Sequence, residues 1–209
     1  MTTVLVEYKD VTVSFNNEDI VKKFNLKLKK GEKVLFKGKS GTGKSTLLKL
    51  LMGFTFPSLG SINFRGKSLN CDNIWEVRKN VCYISQHSDV WEGPVIDIFK
   101  EIFSYNNNAQ DLDYSKIDSL MNYFNLDKNK LYQEYDSLSG GEKQRICIIL
   151  AILLPREIYL LDEITSSLDN EMKSKVINYF LEQNDLTLII ASHDSQWESN
   201  NIKVIPIGE

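Results

Sequence analysis

Gly38-Lys39-Ser40-Gly41-Thr42-Gly43-Lys44-Ser45-Thr46 is the stretch that decides how the rest of the chain is read. It follows the apolar run Val34-Leu35-Phe36 and precedes Leu47-Leu48-Lys49-Leu50-Leu51-Met52, whose leucines recur at helical spacing. A strand, a glycine-rich turn and a helix, with G-x-x-x-x-G-K-[ST] across the turn, is the context of a phosphate-binding loop. The glycines let the backbone curl so that successive N–H groups point at phosphate oxygens. The helix start adds free N–H groups and the positive end of its dipole. Gly38, Ser40, Gly41, Thr42, Gly43 and Thr46 belong to this cradle. Lys44 supplies a full charge to the β- and γ-phosphates, and the Ser45 hydroxyl is placed to ligate Mg²⁺. An ordinary turn does not require a Lys-Ser pair in this register, so a nucleoside triphosphate is the expected ligand.

At 209 residues the chain suits one large domain, or a core carrying a smaller subdomain. A 42% hydrophobic share allows a sizeable core. The formal charge of −3 provides no global basic field, so nucleic acid is not an expected partner. The basic stretch Lys22 to Lys33 alternates with Phe24, Leu26 and Leu28, the pattern of an edge strand with one wet face. Cys71, Cys82 and Cys147 lack C-x-x-C spacing and lie in or near apolar runs, which points to reduced, buried thiols in a cytosolic protein. The first residues do not resemble a signal peptide. The apolar run Ile146 to Leu154 ends at Pro155, well short of the span of about 20 residues that crosses a bilayer.

Period-two alternation over 3–30 predicts a small β region, with a turn at Asn16-Asn17-Glu18-Asp19. Gly53 is placed to stop the helix after the phosphate loop. Residues 61–65 and 81–85 read as strands and 73–80 as a short helix. From 93 to 135 the β pattern vanishes and Ile117, Leu120, Met121 and Phe124 mark an amphipathic helix, so a helical insert is expected. Beyond it come a helix at 139–152, a buried parallel strand at 158–161, a helix at 170–182, a strand at 186–191 and a last short strand at 202–207.

Four strands therefore end in polar groups: the phosphate loop, Gln86, Asp162-Glu163 and His193. In an open α/β sheet ligands gather beyond the carboxyl ends of the strands, so parallel pairing would put all four on one edge. Asp162 then suits the Mg²⁺ shell, Glu163 the attacking water, and Gln86 and His193 the water, the metal shell and the γ-phosphate. Leu138-Ser139-Gly140-Gly141-Glu142 has capping-box spacing ahead of an apolar helix. Two glycines there weaken the helix by about 1 kcal/mol each relative to Ala but bare N–H groups for an anion. Two phosphate-binding helix starts for one nucleotide are reconciled by a head-to-tail homodimer, each loop facing its partner's second site.

Leu138-Ser139-Gly140-Gly141-Glu142-Lys143-Gln144-Arg145 resembles the signature of ATP-binding cassette (ABC) ATPases. Around it stand a match to Walker A at 38–45, the Q-loop Gln86, Walker B at 158–162, a D-loop at Ser167-Leu168-Asp169 and the switch histidine His193. The resemblance runs over essentially the whole chain, in the family's order. It implies an α/β fold of the P-loop type: a mainly parallel sheet, an N-terminal antiparallel β region and an inserted helical subdomain. It implies one ABC domain over 1–209, with a nucleotide-binding core at 1–87 and 148–209 and a helical subdomain at 88–147. It further implies MgATP sandwiched in a homodimer, with Ser139, Gly140 and Gly141 on the γ-phosphate held by the other subunit. On this pattern Glu163 is the catalytic carboxylate and Asp169 communicates across the dimer. Phe15 sits where an aromatic residue stacks on adenine, its alternative being a core strand residue. Two departures are Ile164 in place of the usual proline and Leu150 in place of the usual arginine. Neither touches a phosphate.

The expected role is the ATPase subunit of a membrane transporter, peripheral on the cytoplasmic face and working with a separate permease. Asp-Glu-Ile-Thr-Ser at 162–166 resembles the ATPase subunits of bacterial iron-efflux exporters. The alternative is a soluble ABC ATPase serving a cytosolic partner such as an iron–sulfur assembly scaffold. A kinase or GTPase sharing only the P-loop is disfavoured by the signature and His193.

Overall fold

Alternating apolar and polar residues make β1 (Val4–Phe15) and β2 (Glu18–Lys29) a long antiparallel pair, joined in one sheet by β4 (Leu59–Phe64) and β5 (Lys67–Ser68) in the order β2-β1-β4-β5. β2 is an edge, as the Lys-rich wet face requires. Asn16 takes a left-handed φ of 49° in the connecting turn. The computed structural model describes residues 4–16, 18–86, 91–108, 110–199 and 201–208; the predicted turn residue Asn17 lies outside them, as does 87–90, where the predicted boundary between core and subdomain falls.

The second sheet is built from continuous apolar runs: β3 (Lys33–Lys37), β6 (Val81–Ile84), β7 (Ile158–Asp162), β8 (Thr187–Ser192) and β9 (Lys203–Pro206), ordered β6-β7-β8-β3-β9. β7 with β8, β8 with β3 and β3 with β9 are parallel. Between β3 and β6 in the chain lie α1 (Lys44–Leu51) and α2 (Ile74–Asn80). Leu47, Leu48, Leu50 and Leu51 of α1 are all buried, and Gly53 at φ 63° ends the helix. The Tyr8 hydroxyl donates to the Leu47 carbonyl at 2.8 Å, tying β1 to α1. Tyr8, Phe24 and Phe36 meet edge to face at 5.5 Å, linking the two sheets. The β-rich unit so formed comprises Met1–Tyr83, Arg156–Glu163 and Tyr179–Glu209.

The other unit comprises Ile84–Pro155 and Ile164–Asn178. It is helical, with α3 (Val95–Ser104), α4 (Tyr114–Tyr123) and α5 (Gly140–Leu153), together with the first part of α6 (Asn170–Glu182). Phe99, Ile117, Met121, Phe124 and Ile146 are fully buried in it. The Arg145 guanidinium donates to the carbonyls of Phe124 and Asn125, each at 3.1 Å, closing the end of α4 onto α5. Compared with the division expected from sequence, this unit also takes in 148–155 and 164–178.

Cys71 departs from its expected burial. It lies exposed in the turn ahead of α2, where neighbouring polar residues satisfy one another and no apolar face forms. Cys82 and Cys147 are half-buried.

Candidate functional site

The site begins at the carboxyl end of β3. Gly43 caps α1 with φ 97°, a left-handed conformation that costs a glycine little and any β-carbon more. The first helical bond runs from Leu47 N–H to the Gly43 carbonyl, so the amides of Lys44, Ser45 and Thr46 stand ahead of the ladder. Gly38 is demanded by space: a β-carbon there would lie 2.4 Å from the Ile207 carbonyl oxygen. Gly38, Lys39, Thr42, His193 and Ile207 line a cleft of about 510 Å³, inside the range of small-molecule sites.

Strand register brings the chemistry to this loop. Lys37 of β3 pairs with Ser192 of β8, and Asp162 of β7 pairs with Ala191, so three strands end side by side. Ser45 Oγ donates to Asp162 Oδ1 at 2.7 Å. Lys44, 5% exposed, donates to the carbonyls of Gly38 at 2.8 Å and Lys39 at 2.9 Å, and its ammonium lies 3.4 Å from Glu163 Oε1. Glu163 also accepts from Ser192 Oγ at 3.4 Å. His193 Nδ1 faces both Glu163 oxygens at 3.1 and 3.0 Å; an ionised carboxylate has no proton to give, so Nδ1 donates. Glu163 itself holds a φ of 49°, rare for a side-chain-bearing residue and typical of functional positions whose surroundings over-determine them.

The Tyr83 hydroxyl donates to the second Asp162 oxygen, Oδ2, at 2.8 Å. Burial first, and then the Asp162 carboxylate, push its phenol well above the usual range, so it remains a donor at any physiological pH. Tyr83 lies inside an apolar strand and Ser192 closes another, so neither reads as a site residue from sequence alone. The available signal was a polar atom close to the carboxyl end of a strand next to β7.

Ser45 and Asp162 offer a hydroxyl and a carboxylate within hydrogen-bond distance of one another, the hard oxygen donors that suit magnesium. Among the described residues no group of three or more His, Cys, Asp or Glu could hold a metal.

Phe15, at the end of β1, is 50% exposed, so the core reading fails. The remaining predicted residues belong to the helical unit. Gln86 is exposed two positions past β6. Ser139 caps α5 in a full capping box. A β-carbon on Gly140 would meet nothing within 4 Å, whereas one on Gly141 would reach the Ser167 carbonyl at 3.4 Å. Asp169 Oδ1 accepts the Met172 N–H at 2.9 Å and caps α6.

The capping box carries a pH signature. Glu142 accepts the Ser139 N–H at 2.8 Å, and that bond, opposed by partial burial and aided by Lys130, holds its carboxyl below the ordinary 4.5. A depressed folded value stabilises above 4.5 and is lost as pH falls through it. Denaturant midpoints measured from pH 6 to pH 3 should therefore fall more steeply in the parent than in Glu142→Gln.

The ABC transporter family matches residues 21–166. The chain is 32% identical over 196 residues to the lactococcin-G-processing and transport ATP-binding protein of Lactococcus lactis, covering 90% of this chain but only 28% of that protein. It is 30% identical over 210 residues to the energy-coupling factor transporter ATP-binding protein EcfA1 of Enterococcus faecalis, covering 96% of this chain and 75% of that one. Its fold superposes with a TM-score of 0.82 on MJ0796, a bacterial ABC transporter cassette solved as a dimer, at 22% identity and with 98% and 95% of the two chains covered. The chain belongs to the ABC transporter family.

Proposed function

We propose that this chain is the ATP-hydrolysing subunit of an ABC membrane transporter. It binds MgATP at a homodimer interface and drives transport through a separate membrane subunit. The observation that carries this reading is the gathering of Lys44, Ser45, Asp162, Glu163 and His193 at the carboxyl ends of three aligned parallel strands. The dimeric state of the MJ0796 cassette and the transport roles named for both relatives support it. Among the described residues no helix is long and apolar enough to cross a membrane, which suits a subunit seated peripherally on the inner face.

In this reading Phe15 stacks on the adenine, and the amides of 38–46 with Lys44 hold the β- and γ-phosphates. Ser45 and Asp162 hold magnesium, with Gln86 contributing to its shell. The ion, when bound, neutralises charge on the transferring phosphoryl group. Glu163 orients a water and accepts its proton as the water oxygen bonds to the γ-phosphorus and ADP leaves. His193 keeps the carboxylate aimed. Ser139, Gly140 and Gly141 of the second subunit close over the γ-phosphate, and Asp169 relays between the two sites. The open space beside Gly140 is the room such an approach needs.

Phosphate release measured against ATP concentration tests the reading. Two coupled sites give a Hill coefficient approaching about 2. Hyperbolic kinetics from a protein that stays monomeric with ATP would exclude the sandwich. Copurification with a membrane protein separates transport from a role with a soluble scaffold.

A further inference from the structure

We infer that Tyr83 is a positioning residue of the magnesium site, and that its ring ties this site to an aromatic patch on the surface. The inference rests on the proposed MgATP reading. Asp162, 3% exposed, has two carboxylate oxygens with separate tasks: Oδ1 faces Ser45 and Oδ2 accepts from Tyr83. A carboxylate on a two-bond stem turns about its own axis. With Oδ2 held at 2.8 Å by a hydroxyl that has one proton to give, Oδ1 can point only toward Ser45. A group that holds a metal ligand in orientation raises metal affinity without touching the metal.

The Tyr83 ring is itself seated from outside. Phe54, 57% exposed, meets it edge-on at 6.0 Å. The Arg78 guanidinium lies 5.4 Å from the Phe54 ring centre and 4.9 Å from that of Trp75, which is 62% exposed. Arg78 Nε donates to the Met52 carbonyl at 3.1 Å, anchoring the stack just past the end of α1. A short chain of contacts thus runs from a solvent-facing Phe-Arg-Trp stack, through one phenol, to the carboxylate beside Ser45. Pressure on the patch reaches the metal ligand through a single hydroxyl.

Tyr83→Phe keeps the ring and removes only the hydroxyl. Manganese binding to the protein–ADP complex, followed by electron paramagnetic resonance, should weaken by about 10-fold in this variant, the lower end of what losing such a partner costs. Fluorescent-ATP affinity in EDTA, which senses the loop and not the metal, should stay at the parent value. Phe54→Ala, which loosens the ring's seat, should shift manganese affinity in the same direction by less. Unchanged manganese affinity in Tyr83→Phe overturns the inference, and so does a parallel fall of nucleotide affinity in EDTA. A parent protein that binds ADP but not manganese overturns the metal reading of Ser45 and Asp162, and this inference with it.

Discussion

Glutamine at position 163 should lower ATP turnover by about 10²–10⁴-fold, the usual size of a general-base defect, while nucleotide stays bound. The side chain keeps its shape, so the left-handed backbone at 163 and the Glu163 N–H bond to the Ala191 carbonyl at 2.9 Å are undisturbed. What disappears is the charge. Glu163 and Lys44 form an ion pair at 3.4 Å, their side chains 11% and 5% exposed. An incoming γ-phosphate must draw Lys44 away from that pair. Glutamine competes weakly for the lysine, so ATP affinity should hold or rise as hydrolysis stops. The combination of a trapped ATP-bound dimer in size exclusion with light scattering and near-absent phosphate release is the expected signature. Turnover equal to that of the parent would remove Glu163 from the mechanism.

Lys44→Met should have the opposite profile, with binding itself impaired. Methionine fills the space of the buried stem but offers no donor. A hydrogen bond to a charged group is worth about 1.5–3 kcal/mol, and each 1.4 kcal/mol is about tenfold in affinity. ATP affinity by isothermal calorimetry should thus fall by about 10- to 100-fold. The carbonyls of Gly38 and Lys39 also lose a donor, so thermal melts must accompany the titration. An unfolded variant would show in the melt, whereas a folded variant with parental affinity would mean that Lys44 does not meet phosphate.

Much of this architecture is legible in the residue order because local rules dominate it. The Leu47-Leu48-Leu50-Leu51 face and the Gly53 stop specify α1 within a few positions. The short, bounded apolar runs at 158–161 and 188–191 suit interior strands. The phosphate loop announces itself because its chemistry is contiguous. Other features arise from pairing across the sheet, which no window of sequence contains. Tyr83 looks like a core aromatic until β6 lies beside β7 and its hydroxyl meets Asp162, 79 positions away. The Lys44–Glu163 pair depends likewise on the register that aligns β3, β8 and β7. Cys71 is exposed despite its apolar neighbours because Asn70 and Asn73 bend the chain outward into solvent-facing turn bonds. The grouping of 164–178 with the helical unit follows from bonds such as Lys175 to Asn125 at 2.9 Å, which span some fifty positions.

The loop that cradles the phosphates has an unusual rear wall. β9 is one of the two edge strands of its sheet, paired on one side only among the described residues, and Ile207, just beyond it, donates to the Lys37 carbonyl while its own oxygen crowds Gly38. Edge strands fray at lower free energy than central ones, so the shape of the cradle is only as durable as this edge ribbon. A nucleotide bound to the intact form alone tightens that ribbon by mass action, in proportion to RT ln(1 + [L]/Kd). Occupancy would then act as a clasp on the far margin of the protein, and depletion of nucleotide would loosen it.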